Sequence, residues 1–197
     1  MDPDQDATAW FETLFEAHYG DLMRYATRRV GADAASDIVS GTFLVAWRRR
    51  GDLPEDDPRP WLYAVARKVI GNELRARRRR ERLDGRARQQ PDAVATTAPD
   101  HAEPVAERLR VHQALTALSP RDQEVLRLTE WEGLDLAEAA TALECTRTAA
   151  KVRLHRARRR FAAQLAALDG PAVPESLETA AHSAARPAAI LEGTPTS

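Results

Sequence analysis

Cysteine, aromatic residues and long apolar runs are scarce in this 197-residue chain, and each scarcity excludes a class of protein. A single cysteine, Cys145, rules out an intrachain disulfide. The histidines at 18, 101, 112, 155 and 182 are too scattered to join it in a zinc site, so no metal is expected. No apolar stretch approaches the roughly 18–20 residues of a membrane span. The acidic start MDPDQDATAW lacks the charged-then-apolar order of a secretory signal, and a cytoplasmic protein is expected. Aromatics make up only 6% of residues while alanine, arginine and leucine dominate, which favours helices over sheets. Chemistry is thinly supplied too. The acids Glu55, Asp56 and Asp57 sit in a proline-bounded loop with no companion histidine and no phosphate-cradling glycines, which argues against an enzyme or a small-molecule substrate.

The most informative absence is local. From Cys145 to Leu168 there is no acidic residue, although the whole chain has a net charge of -1. Basic residues cluster in Arg67–Arg88 and Arg147–Arg160, so overall charge understates the affinity for nucleic acid. On a helix, TRTAAKVRLHRARRRF (146–161) places Ala150, Leu154, Ala157 and Phe161, with Leu165 beyond, on one narrow stripe. Thr148, Val152, His155, Arg156 and Arg159 lie opposite, flanked by Arg147, Lys151, Arg153 and Arg158. Such a helix packs on its own domain and faces a polyanion.

The rest of the chain predicts an all-α protein of two small helical domains joined by a flexible linker. A helix from near Ala9 to Gly31 is followed by one over Ala34–Arg50, with Asp33 as its N-cap and Gly41 costing about 1 kcal/mol relative to alanine. The loop Gly51–Pro60 holds three prolines and four acids. A third helix starts at Pro60 or Trp61, and its apolar content gives way to arginine beyond Leu74. These elements form a first domain, 1–88. Residues 89–106 carry three prolines and no basic residue, the composition of a linker. In the second domain, 107–168, an amphipathic helix ends at Ser119-Pro120, which caps a helix running to Gly133. The short helix Leu136–Leu143, a tight break at 144–146 and the basic helix complete a helix-turn-helix. Residues 169–197 read as a tail, with Ala188–Leu191 as a short contact segment.

Three stretches in this order resemble the extracytoplasmic-function (ECF) group of bacterial RNA polymerase sigma factors: FEAHYGDLMRYATRRVGADAASDIVSGTFLVAWRR, RPWLYAVARKVIGNELRARRRR and ALTALSPRDQEVLRLTEWEGLDLAEAATALECTRTAAKVRLHRARRRF. The resemblance implies that 1–88 is similar to sigma region 2, which binds core polymerase and melts the −10 element, and 107–168 to region 4, which reads the −35 element. It implies promoter DNA and core RNA polymerase as partners, often an anti-sigma protein as well, and no metal or cofactor. Promoter recognition is then expected from Arg147, Thr148, Lys151, Val152, Arg153 and His155, with Arg156, Arg158, Arg159 and Arg160 on phosphates. Trp61, Tyr63, Arg67, Lys68, Asn72 and Arg75 are the positions expected at the melted strand. Trp61 equally suits the core of the first helical turn. The polymerase contact maps to Asp37, Ser40, Phe43, Trp47 and Arg48.

The sequence departs from the family pattern twice. Ser40-Gly41 stands where a Gln-Glu-like pair is expected, and Glu144, Thr148, Ala149 and Ala150 replace a glycine-containing, threonine-valine-lysine pattern. Two other readings remain open on the sequence: a stand-alone helix-turn-helix regulator, and a degenerate sigma relative acting as an antagonist.

Overall fold

Seven α-helices account for most of residues 3–54, 56–83 and 105–168, the parts of the chain described in this computed structural model. No strand occurs among them, and the all-α class inferred from composition is the class observed. The linker acids Asp92, Asp100 and Glu103, the whole 169–197 tail with Ala188–Leu191, and Glu55 of the acidic loop lie outside the described residues.

Helix α1 (Pro3–Val30) begins well before the expected start near Ala9. The acid Asp6 sits near the positive end of the helix dipole. Gly31 ends it at φ 84, a left-handed conformation that glycine adopts without side-chain strain. Gly31 is also the N-cap of α2 (Ala32–Arg48), so the expected cap, Asp33, lies inside the first turn and acts through its charge instead. After a 3₁₀ turn at Arg50–Asp52, α3 (Arg59–Leu83) starts with Pro60 in its first turn. These three helices enclose Leu22, Tyr25, Ile38, Val39, Phe43 and Leu62. Gly41 has a packing reason: a Cβ added there would stand 3.3 Å from Val69 Cγ1 of α3.

The second half opens with α4 (Val105–Thr116), so the last two positions of the expected linker are helical. Ser119 caps α5 (Pro120–Leu126), its hydroxyl accepting from the Asp122 backbone N–H. The helix continues towards Gly133 as expected, but not as a regular α-helix. The chain widens into a π turn at Arg127–Trp131, closed by the Glu132 N–H on the Arg127 carbonyl at 3.1 Å. Gly133 then reverses at φ 66, and Asp135 caps α6 (Leu136–Ala142) in a reciprocal capping box with Glu138. Helix α7 (Arg147–Leu168) follows, and packs Ala157, Leu154 and Phe161 against Leu115, Leu118, Val125 and Leu126.

The two halves do not merely tether. Leu128, Leu134, Ala139 and Ala142 of the second half belong to the same buried cluster as Tyr25, Tyr63 and Ile70 of the first. Helix α3 thus lies against α6, a docking that no residue pattern in the sequence predicted.

Candidate nucleic-acid and polymerase interfaces

The basic helix is aimed by its turn. Asp135 accepts from the backbone N–H groups of Glu138 (2.8 Å) and Ala137 (2.6 Å), which fix the start of α6 and hold its carboxyl below the usual aspartate range. Glu144 then takes φ 52, the left-handed step that turns the chain. Thr146 caps α7 through its hydroxyl, 3.2 Å from Ala149 N. With Ala150 and Ala157 buried, α7 turns Arg147, Thr148, Lys151, Val152, His155, Arg156 and Arg159 to the surface, and half-buries Arg153. A shallow depression beside Thr148, Ala149, Val152 and Arg153 runs along this face.

The arginines at the end of the face divide into two sets. Arg158 donates twice to Glu130, at 3.1 and 2.7 Å, and Arg160 pairs with the buried Asp122 at 2.5 Å. Both therefore reach back to their own half in the free chain, while their side chains stay 59% and 61% exposed. Arg156 and Arg159 make no ion pair among the described residues.

On α3 the six expected positions are not equivalent. Asn72 and Arg75 are exposed and bonded to each other at 2.5 Å. Lys68 is exposed and Arg67 half-buried. Trp61 is half-buried, packed against the core with the Arg49 guanidinium 5.9 Å from its ring centroid, and part of its ring stays at the surface. Tyr63 must be corrected: it is 2% exposed, stacks on Tyr25 with centroids 4.9 Å apart, and has no face left for a base. Burial, reinforced by the Glu132 carboxylate, pushes its phenol up to about 12.

Helix α2 needs a similar correction. Asp37, Ser40 and Arg48 are exposed and Trp47 half-buried, but Phe43 is 2% exposed and edge-on to Phe11. The apolar side chain that does reach the surface is Leu44, 48% exposed and one turn from both Ser40 and Arg48. Gly41 faces α3, so of the unusual Ser40-Gly41 pair only Ser40 alters the outer surface.

A polar seam joins the halves. Arg29 donates to Glu124 through Nε and Nη2 (both 3.2 Å), to Glu132 (3.2 Å) and to the Tyr25 carbonyl (3.1 Å), with its guanidinium 3.5 Å from the Tyr25 ring centroid. The Tyr25 hydroxyl donates to Glu124 at 2.8 Å, and Arg28 pairs with Glu132. Burial alone would raise the Glu124 carboxyl, but Arg29 and the Tyr25 hydroxyl hold it below its ordinary value. Burial would likewise lower Arg29, and the charges of Glu124, Tyr25 and Glu132 raise it instead. Further out, Arg59 donates to the Glu132 carbonyl and Arg67 Nε to that of Ala142 at 3.2 Å. Glu144 accepts from Arg67 at 3.3 Å and from Lys68.

The sequence profile of sigma-70 region 2 matches residues 14–80, and that of sigma-70 region 4 matches residues 108–161. The chain is 32% identical over 151 residues to the ECF RNA polymerase sigma factor SigL of Mycobacterium tuberculosis, an alignment covering 75% of this chain and 84% of that protein. The chain belongs to the ECF sigma factors. The RNA polymerase sigma factor CarQ of Myxococcus xanthus is also 32% identical, over 77% of this chain and 85% of that one. Among solved structures, CnrH in complex with the cytosolic domain of CnrY aligns over 83% of this chain and 94% of that one, with TM-score 0.56 and 25% identity. The fold is shared with the sigma factor RpoE in complex with the anti-sigma factor NepR from Bartonella quintana, at TM-score 0.63 and 23% identity over 79% and 96% of the two chains.

As a sigma factor the protein is a transcription-initiation factor that binds core polymerase and promoter DNA, and matches in both halves set aside a stand-alone helix-turn-helix regulator. Sequence reasoning missed Leu44, which helical spacing from Ser40 would have found. It also missed the whole seam, for which the sequence holds no signal. Among the described residues no helix is long and apolar enough to cross a membrane, and no three His, Cys, Asp or Glu side chains gather as a metal site.

Proposed function

We propose that this sigma factor divides promoter recognition between its halves. Residues 107–168 read the −35 element through Arg147, Thr148, Lys151, Val152, Arg153 and His155, with Arg156 and Arg159 on phosphates. Residues 1–88 engage the melted −10 strand through Arg67, Lys68, Asn72, Arg75 and the exposed edge of Trp61, and meet core polymerase through Asp37, Ser40, Leu44, Trp47 and Arg48. The protein adds no catalysis of its own, works in the cytoplasm, and is held in reserve by an anti-sigma protein, as CnrH and RpoE are seen bound to CnrY and NepR. The observation that carries the reading is the acid-free face of α7: its first turns expose donors of both point-charge and fork type, while the arginines that bind their own domain lie at its far end.

Run-off transcription with core polymerase tests it. Lys151→Ala and Arg147→Ala should each cost about 1–3 kcal/mol of affinity for the −35 element if they read bases. An equal loss on random DNA would show that they touch phosphate alone, and a wild-type chain that binds DNA tightly but never associates with polymerase would overturn the division of labour.

A further inference from the structure

The Asp122–Arg160 pair differs from the other arginine contact of α7. Arg158 commits the edge formed by Nε and Nη2 to Glu130. Arg160 gives Asp122 only Nη1, at 2.5 Å, and its guanidinium makes no other hydrogen bond among the described residues. Its Nε–Nη2 edge, which can meet two oxygens of a phosphate at once, is left over on a largely exposed side chain. Asp122 is the opposite. Its side chain is 7% exposed, and the Ser119 hydroxyl fixes its backbone by accepting from the Asp122 N–H at 3.2 Å. It is the one acid among the residues lining the depression between α5 and α7, whose wall includes Thr148, Val152, Arg153 and Arg156. Arg153, Arg156 and Arg160 follow at spacings of three and four and share one edge of α7. Arg156 and Arg160 also border a second hollow, with Arg159 and Ala163.

We propose that Asp122 is a positioning residue for DNA binding: it holds Arg160 with the free edge turned outward beside Arg156, and the two guanidiniums clamp one backbone phosphate of the −35 duplex. The proposal rests on the reading that α7 faces that duplex. Two cations one turn apart repel, and α7 itself holds no acid to offset them. Asp122 supplies the counter-charge from α5, so both guanidiniums can stay at the same hollow. Removing Arg160 from it would leave a buried carboxylate without its cation, which is costly, so a DNA strand does not recruit Arg160 by displacing Asp122. The strand binds the edge that Asp122 leaves free. Such a contact sets affinity and register and carries no sequence information. The contribution of Asp122 is preorganisation. A free arginine loses rotamer freedom when it meets a phosphate, whereas one already held by a buried carboxylate has lost that freedom on folding. An acid on a DNA-binding face would otherwise weaken binding by repulsion, so the sign of its effect separates the two roles.

The test uses holoenzyme assembled from the full chain and core polymerase, with two labelled promoter fragments. One is selected from a random pool by the wild-type holoenzyme, and the other is the same fragment with its upstream element scrambled. Binding is read by fluorescence anisotropy across a salt series. Asp122→Asn keeps the shape and removes the charge. Relief of repulsion alone would tighten binding. Positioning instead predicts a loss of about 2- to 10-fold on both fragments, the cost of ordering one rotamer-rich side chain. Arg160→Ala should lower the slope of log affinity against log salt by about 0.9, and in that background Asp122→Asn should cause no further loss. Arg160→Lys keeps the charge but has no fork to share between two anions, and should lose affinity as Asp122→Asn does. Asp122→Asn binding as tightly as wild type, or more tightly, overturns the proposal. So does a loss that persists in the Arg160→Ala background, which marks a merely structural role. If Asp122→Asn loses far-UV helicity, Arg160→Lys decides, and wild-type affinity there overturns the proposal. Lys151→Ala checks the underlying reading separately. If it weakens both fragments equally and wild type binds the two alike, α7 does not read the −35 bases, while the losses in Asp122→Asn and Arg160→Lys still decide the phosphate clamp.

Discussion

Replacing Arg29 by methionine isolates the energetics of the seam. The guanidinium makes four hydrogen bonds, two to Glu124, one to Glu132 and one to the Tyr25 carbonyl, and its side chain is 5% exposed. Methionine fills much of the volume but leaves two carboxylates short of a cation. Glu124 retains the Tyr25 hydroxyl at 2.8 Å and Glu132 retains Arg28. Breaking a buried ion pair by removing one partner costs about 3–5 kcal/mol, and the surviving partners place this change at the lower end, about 3 kcal/mol. With a urea m-value of about 2 kcal/mol/M, the midpoint of the first unfolding transition should fall by roughly 1.5 M, read by far-UV circular dichroism. The double substitution Arg29→Met with Glu124→Met should recover part of the loss, because an apolar pair of similar volume often replaces a buried ion pair at little cost. A coupling of about 1–3 kcal/mol between the two sites is expected. A midpoint shift below about 0.5 M, the scale of an exposed salt bridge, would refute the claim that the seam is buried and energetically coupled. So would a double variant that merely sums the two losses.

The two sets of arginines on α7 should separate in salt titrations of DNA binding. Arg159→Ala should reduce the slope of log affinity against log salt by about 0.9, whereas Arg158→Ala, already paired with Glu130, should change it by less. Tyr63 makes the alkaline limb of stability informative: its folded value lies near 12 against an ordinary 10, so it stabilises the fold fully below pH 10. That contribution, about 2–3 kcal/mol, is lost as pH rises towards 12, and tyrosinate absorbance should appear together with unfolding; early ionisation without unfolding would contradict its burial. On α2, Leu44→Asp should weaken association with core polymerase and leave the melting temperature nearly unchanged. Phe43→Ala, by contrast, should cost about 3–5 kcal/mol of stability, and reversed outcomes would exchange their roles.

Local chemistry made much of this fold legible. Ser119-Pro120 satisfies a backbone group within three residues of itself, and the cap expected there is found, whereas Asp135 with Glu138 and Thr146 act in the same local way and were not expected. The α7 stripe from Ala150 to Leu165 follows from 3.6-residue periodicity, and its basic face follows from what that stripe leaves over. Errors arose where a third helix intervened. The helical spacing of Ile38, Val39, Thr42, Phe43 and Ala46 marks Phe43 as part of an apolar face, but the resemblance assigns the same residue to the polymerase surface, and only one of the two can hold. Tyr63 failed for the same reason. An aromatic in the first turn of a basic helix suits a base platform until the Tyr25 ring closes over it.

The seam was illegible for a different reason. Arg29 and Glu124 are separated by 95 positions, and each taken alone is an ordinary polar residue on an amphipathic helix. The third member, Glu132, follows the π turn at Arg127–Trp131 and pairs with both Arg28 and Arg29. Nothing in RLTEW departs enough from helical propensity to announce that turn. Packing gives meaning to both departures from the family pattern, one within the first half and one between the halves. Gly41 admits Val69 and so lets α3 approach α2, while Glu144 meets the basic edge that α3 then presents. A substitution that looks like a defect on one half can thus be a contact with the other. Restoring a long acidic side chain at Gly41 should therefore disturb α3, and with it the Arg67–Glu144 contact, before it restores anything on the polymerase surface.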